Sequence, residues 1–444
     1  MATSHSSTIH SSAIHSSAIP KYLERYAEAD IHHLPTALQV HQFEYVLVIP
    51  CYRENSSFVQ SLRDSLLSQH DCLLILIINQ PDNASGTDGC NTELWQHLLE
   101  SPRPGESFGN KSGDQVFIAP YGHNKSSALL IVDRFTKGRT IPSRQGVGLA
   151  RKIGADIALS LIAKKRIKQP WIWSSDADAH LPDDYFSAVF THRNLNDKQS
   201  RQPTGAACVY PFRHTSSATG TDRVCAATRL YEQSLNHYVA GLRWAGSPYA
   251  YHTLGSALTV NAEHYAQVRG FPKRSGAEDF YLLNKLAKTG EITTLQSSAI
   301  EIESRLSDRV PFGTGPAVQK LLAQSDLSEA RLFYDPNIFK ELKTFLAALP
   351  AFFENPSFED AVKELNIENN TRASLLEINL AAAIAHARKQ SKEQSQFCRQ
   401  MHIWFDAFRT LKFIHLLREK TYPNLTLADT KNAPYMPENK PPDT

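Results

Sequence analysis

This sequence predicts an α/β fold: a mixed, mostly parallel sheet flanked by helices, followed by a helical C-terminal subdomain. Three features carry that expectation. Short apolar runs rich in β-branched residues alternate with helix-patterned stretches in the first half of the chain. Those runs are apolar throughout, as in parallel strands covered on both faces. After about residue 316 the pattern changes to long helical periodicity.

The first residues repeat a five-residue unit, His5-Ser-Ser-Thr-Ile9, His10-Ser-Ser-Ala-Ile14 and His15-Ser-Ser-Ala-Ile19. The unit is too polar and too short to build a core, so residues 1–20 are expected to be a disordered leader. A short amphipathic element is expected between Lys21 and Leu38. Tyr45–Pro50 then reads as a strand, Ser56–Gln69 as a helix and Cys72–Ile78 as a second strand. Asn79–Gly89 and Asn110–Asp114 are dense in turn formers. Further strands are expected at Val116–Ala119, Trp171–Ser175 and Ala206–Tyr210, with a helix of small and apolar residues over Gly146–Ala163. The α/β domain is expected to span residues 21–315. Residues 316–430 read as helices at Ala317–Leu322, Asn337–Leu349, Phe358–Leu365, Arg372–Lys389 and Gln394–Lys420. Residues 431–444, rich in Pro and charge, are expected to fray.

With 444 residues, 41% hydrophobic and 21% charged, the chain has material for a sizeable core. A net charge of +2 gives no global field toward nucleic acid or an anionic membrane. Six scattered cysteines without a C-x-x-C pair indicate neither a zinc site nor a disulfide framework, and a reducing cytoplasm is expected. No apolar run approaches the roughly 20 residues of a membrane span, so any membrane association is expected to be peripheral.

The strand at Trp171–Ser175 stops at Asp176-Ala177-Asp178, which puts two carboxylates at a carboxyl end, where open α/β sheets bind ligands. Such a pair suits a hard divalent cation, Mg²⁺ or Mn²⁺, that joins one or two carboxylates to a substrate diphosphate. Two aspartates at a strand end also serve as a turn or helix cap. His180 is a further candidate ligand or an ordinary turn histidine. Arg305, Asp308 and Arg309 precede Pro311-Phe-Gly-Thr-Gly315, an Arg-bearing glycine loop suited to a diphosphate, or a polar connection. His252, Trp244, Tyr249 and Tyr251 can face a sugar or lie in the core.

The order P-C-Y-R-E (50–54), G-x-x-x-A-R (146–151), D-A-D (176–178), G-S-A-L-T-V (255–260), R-G-F-P (269–272) and E-D (278–279) resembles family 2 glycosyltransferases and their relatives, with their GT-A type, Rossmann-like fold. The likeness covers about residues 44–315. It implies an enzyme that uses a divalent metal to move a sugar from a nucleotide-diphosphate donor to an acceptor hydroxyl. Pro50, Tyr52 and Glu54 would lie beside the nucleoside. Asn79 stands where many relatives have a base-holding aspartate, and Arg151 near the nucleotide is followed by Lys152 rather than asparagine. Asp176 would contact ribose or metal, Asp178 the metal, and Gly255 and Ser256 the nucleotide sugar. Asp279 would be the general base, with Glu278 shaping the acceptor pocket. Glu278-Asp279 also suits the acidic first turn of a helix. Processive members of that family carry a Q-x-x-R-W element after the acidic pair and several membrane spans; neither is seen in this sequence, which favours non-processive transfer to a small molecule, glycan or lipid headgroup. Inverting transfer is the leading expectation. A retaining enzyme of the same fold, such as a glycosylglycerate-type synthase, a phosphohydrolase with Asp176 as nucleophile, and a degenerate sugar-nucleotide-binding scaffold remain as alternatives.

Overall fold

The structure, a computed structural model, describes residues 17–100, 116–121, 127–191, 205–216, 221–306, 309, 313–355 and 368–435. Residues 1–16 of the His-Ser-Ser leader, the Asn110–Asp114 turn, Asp308, Pro311-Phe312, the Phe358–Leu365 stretch and the last residues of the tail lie outside them; the leader's end, expected to be disordered, is instead helical from Ala18, with the Ser17 hydroxyl and the Ala18 amide donating to Glu263 (2.6 Å each).

Eleven strands are found among these residues: β1 (Tyr45–Cys51), β2 (Cys72–Asn79), β3 (Val116–Pro120), β4 (Ala128–Arg134), β5 (Trp171–Ser174), β6 (Ala179–His180), β7 (Ala207–Val209), β8 (Phe212–Ser216), β9 (Leu258–Asn261), β10 (Ile292–Thr294) and β11 (Ile300–Ser304). Eight of them form one sheet in the order β10-β7-β9-β5-β1-β2-β4-β3. β1 pairs in parallel with β2 and β5, β2 with β4, and β7 with β10. β9 runs antiparallel between β5 and β7, and β3 antiparallel to β4. Six strands therefore share one direction, and their carboxyl ends form one edge. A smaller sheet, β6-β11-β8, stands beside it.

The helices of the first half are α1 (Ala18–Arg25), α2 (Ser57–Asp64), α3 (Leu66–Gln69), α4 (Gly89–Glu100), α5 (Gly146–Ala163), α6 (Ala188–Thr191), α7 (Asp222–Trp244), α8 (Ala262–Gln267) and α9 (Glu278–Leu286). Alternate residues of the apolar strands enter two cores. Val46, Val48, Ile75 and Ile77 pack under α5 and α9, whereas Leu47, Ile49, Leu74 and Leu76 pack under α2, α3 and α4. This is the two-sided burial that unbroken apolar runs require. The stretch expected as one helix over 56–69 divides at Ser65, whose backbone leaves helical geometry.

A buried polar network fastens the N-terminal segment to α5. Asp156 accepts hydrogen bonds from the Tyr22 and Tyr265 hydroxyls (2.6 and 2.9 Å), the Glu28 amide (2.8 Å) and Lys152 Nζ (2.9 Å). Lys152 thus serves as a structural counter-ion for a buried aspartate, which needs such partners to be tolerated.

The C-terminal region contains α10 (Thr314–Leu322), α11 (Pro336–Glu354), α12 (Asn369–Glu377), α13 (Leu380–Gln390), α14 (Gln394–Trp404) and α15 (Ala407–Lys420). Two stretches expected as single helices are each broken in two. Asn379 adopts a left-handed backbone between α12 and α13. Asp406 caps α15 by accepting the Arg409 amide at 3.1 Å. Asp406 also accepts from Asn284 Nδ2 (3.1 Å) and Lys288 Nζ (2.6 Å), and Asn284 Oδ1 accepts the Ala407 amide (2.9 Å). The C-terminal helices are thereby tied to α9, the helix that opens with Glu278-Asp279.

Candidate active site

The carboxyl ends of β1 and β5, the starts of α5 and α9, one face of α7 and the start of α15 enclose a cavity of about 910 Å³. Pro50, Tyr52, Glu54 and Asn79 reach it from the ends of β1 and β2. Arg151 comes from α5, Asp176 and Asp178 from the turn after β5, and Gly255 and Ser256 from the approach to β9. Glu278, Asp279, Arg305 and Arg309 complete the set. Residues scattered over some 260 positions are therefore brought together at the sheet's carboxyl edge. His180 is not at this cavity; it lies exposed on β6, its Nε2 3.2 Å from Glu303 Oε1.

Arg151 is the hub beneath the site. Its Nε donates to Glu278 Oε1 (2.8 Å), its Nη1 to Ser174 Oγ (2.9 Å) and the Ser175 carbonyl (3.1 Å), and its Nη2 to Asp176 Oδ1 (2.5 Å). Burial works against the cation, but Asp176 and Glu278 outweigh it and hold its pKa above the ordinary range. One guanidinium thus fixes the strand end that bears the D-A-D turn to the helix start that bears the acidic pair. Gly255 makes room for it, since a Cβ there would lie 2.3 Å from Arg151 Nη2. Gly148 does the same for backbone: its amide donates to the Arg274 carbonyl at 2.9 Å, and a Cβ would meet the Pro272 carbonyl at 2.4 Å.

A charged cluster lines the cavity. Glu54, 7% exposed, accepts from Arg305 Nη1 (2.9 Å) and Nη2 (2.6 Å), and also from Arg309 Nη1. Asp178 Oδ2 accepts from Arg305 Nε (3.1 Å), and Arg309 Nη1 donates to the Tyr52 carbonyl (2.9 Å). Burial raises the Asp178 pKa; Arg305 opposes this, while Asp176 and Glu54 add to it. Asn79 is buried and turns its amide nitrogen toward the carbonyls of Cys51 and Ile77.

Asp279 lines the same cavity from the first turn of α9. Its Oδ1 accepts a hydrogen bond from the adjacent Phe280 amide (2.6 Å). Burial, followed by the charge of Glu278, lifts its pKa to about 7, with the Phe280 amide and Arg151 pulling in the opposite sense. The preceding Ala277 has φ of +57°, a left-handed backbone that costs a non-glycine residue about 1–3 kcal/mol and collects at functional sites. His252 faces the cavity, packs edge-on against Phe212 at 5.0 Å, and is held neutral by burial, with its pKa lowered to about 4.

The sequence reading missed one wall. Tyr231, Ser234, Leu235 and Tyr238 of α7 all line the cavity. Their spacing of three, four and seven residues is the stripe of one helix face, and that periodicity was available in the sequence. His214 was also missed: its Nδ1 lies 2.8 Å from Glu232 Oε2, a contact between β8 and α7 that carries no local motif.

No protein-family model matches this chain, and no curated protein matches it. Among solved structures it is similar to the mannosyltransferase PcManGT from Pyrobaculum calidifontis in complex with GDP-Man and Mn²⁺, at 15% sequence identity, with a TM-score of 0.33, covering 86% of this chain and 93% of that one.

Proposed function

We propose that the protein is a glycosyltransferase that moves a sugar from a nucleotide-diphosphate donor to an acceptor hydroxyl. The observation that carries this reading is that one cavity is lined by two electrostatically different sets of groups. One is the Glu54–Asp178–Arg305–Arg309 cluster, and the other is a carboxylate poised near neutrality, Asp279. Arginine forks match the oxygens of a diphosphate, and a carboxylate with a pKa near the working pH suits the removal of a hydroxyl proton.

In this reading Pro50, Tyr52 and Asn79 border the nucleoside, with Gly255 and Ser256 beside the donor sugar. Arg305 and Arg309 transfer part of their hydrogen bonding from Glu54 and Asp178 to the phosphates. Asp279 takes the proton as the acceptor oxygen attacks the anomeric carbon, and the bond to the diphosphate breaks with its electron pair. Attack from the Asp279 side, opposite the leaving group, inverts the anomeric centre. Glu278 and Arg151 act by holding Asp279 and Asp176 in register.

A divalent cation fits this donor set in one mode. Asp178, assisted by Asp176, would hold it by hard oxygens, and the substrate phosphates would complete the shell. Among the described residues no group of three or more His, Cys, Asp or Glu side chains is placed to hold a metal ion. When bound, the cation offsets the charge of the leaving diphosphate.

A thermal-shift screen of nucleoside diphosphates and sugar nucleotides with Mn²⁺ tests the proposal. A ligand at 100 times its Kd adds about 2.7 kcal/mol to stability. A melting temperature unmoved by every nucleotide would contradict it.

A further inference from the structure

The wall of the cavity formed by α7 and the C-terminal region has no part in the donor chemistry just described. Tyr231, Ser234, Leu235 and Tyr238 line it from α7, Phe408 from α15, and Asn424 from the segment beyond. No hydrogen bond among the described residues engages the Tyr231 or Tyr238 hydroxyl. Phe408 stands 49% exposed at α15. Tyr231 is close enough to Asp279 for that carboxylate to add to the effect of burial in raising its phenol.

A wall of aromatic rings whose hydroxyls have no protein partner selects its occupant. A hydrocarbon would cover the rings but take the two phenol hydroxyls from water without giving them a partner, which is costly. A ring with a C–H face and a rim of hydroxyls satisfies both demands. We propose that this wall is the acceptor subsite and that the acceptor is a saccharide, stacked on Tyr231 and Tyr238 with one hydroxyl directed at Asp279. The inference rests on the glycosyl-transfer reading of the cavity, and it gives the C-terminal helices a role: they close the subsite against α7 and are bolted to α9 through Asp406.

The test is saturation-transfer NMR on the full chain with methyl glucopyranosides, galactopyranosides and mannopyranosides, and with 1-hexanol as the apolar probe. At least one glycoside is expected to take saturation on its ring protons. Tyr238→Phe, which keeps the ring and loses the hydroxyl, should weaken that signal about threefold, and Tyr238→Leu at least fivefold, with melting temperatures reported for both. Unchanged glycoside binding in a folded Tyr238→Leu variant overturns the proposal, as does preferential binding of 1-hexanol. Binding of GDP and UDP to the wild-type chain with Mn²⁺ is followed in parallel. Nucleotide binding without glycoside binding rejects the saccharide subsite alone, whereas absence of nucleotide binding rejects the functional reading on which it rests.

Discussion

Replacing Asp279 by asparagine should make the protein more stable at alkaline pH while removing its activity. The native carboxyl titrates near 7 against an ordinary value of 3.8, so the folded state binds its proton more tightly than the unfolded state does. The corresponding stabilisation is present below about pH 4 and is lost as pH rises to 7, above which the ionised group carries its full penalty. Three pH units correspond to a ceiling of about 4 kcal/mol. Asp279 is only partly buried and solvent screens part of the repulsion from Glu278 and Asp176, so a gain of about 1–2 kcal/mol is the realistic expectation. Asparagine is nearly isosteric and does not ionise. Thermal or urea unfolding at pH 5 and pH 8 should therefore show the variant's advantage growing with pH, reaching about 1–2 °C in Tm at the higher value. Turnover should fall by about 10²- to 10⁴-fold, and wild-type turnover should rise through an apparent pKa near 7. A variant less stable than wild type at pH 8, or one with undiminished turnover, would refute the reasoning.

Arg151→Met leaves Glu278 and Asp176 without their buried counter-ion and should cost about 3–5 kcal/mol in chemical denaturation, with loss of nucleotide binding. Gly255→Ala puts a methyl group 2.3 Å from the Arg151 guanidinium; a loss of about 1–3 kcal/mol in urea unfolding is expected, and wild-type stability would contradict the packing described. Arg305→Met frees Asp178 and Glu54 from one cation, so calorimetry should find Mn²⁺ alone bound more tightly but nucleoside diphosphate bound about tenfold more weakly, the latter close to 1.4 kcal/mol.

The α/β core was legible because its signals are local. β1 and β2 are unbroken apolar runs, α5 has small residues at helical spacing over Gly146–Ala163, and the D-A-D turn directly follows β5. Helix boundaries in the C-terminal region were harder to read, since periodicity continues across the breaks at Asn379 and Asp406, where single residues decide. Antiparallel β9, inserted between β5 and β7, is set by pairing across some 85 residues and has no local mark. In the site, residue types announced the carboxylates and arginines but not their pairings. That Arg305 holds Glu54, 251 positions away, is a product of the fold. Lys152, which stands where the family that the sequence resembles often has asparagine, is explained by buried Asp156 one helical turn along α5.

In the proposed reaction Asp178 serves the diphosphate and Asp279 the incoming hydroxyl. Calorimetric titration of a nucleoside diphosphate with Mn²⁺ into the wild type, Asp178→Asn and Asp279→Asn tests this most directly. The account predicts that Asp178→Asn weakens binding by at least tenfold, about 1.4 kcal/mol, while Asp279→Asn stays within about twofold of wild type. Equal losses in the two variants, or a loss confined to Asp279→Asn, would contradict it.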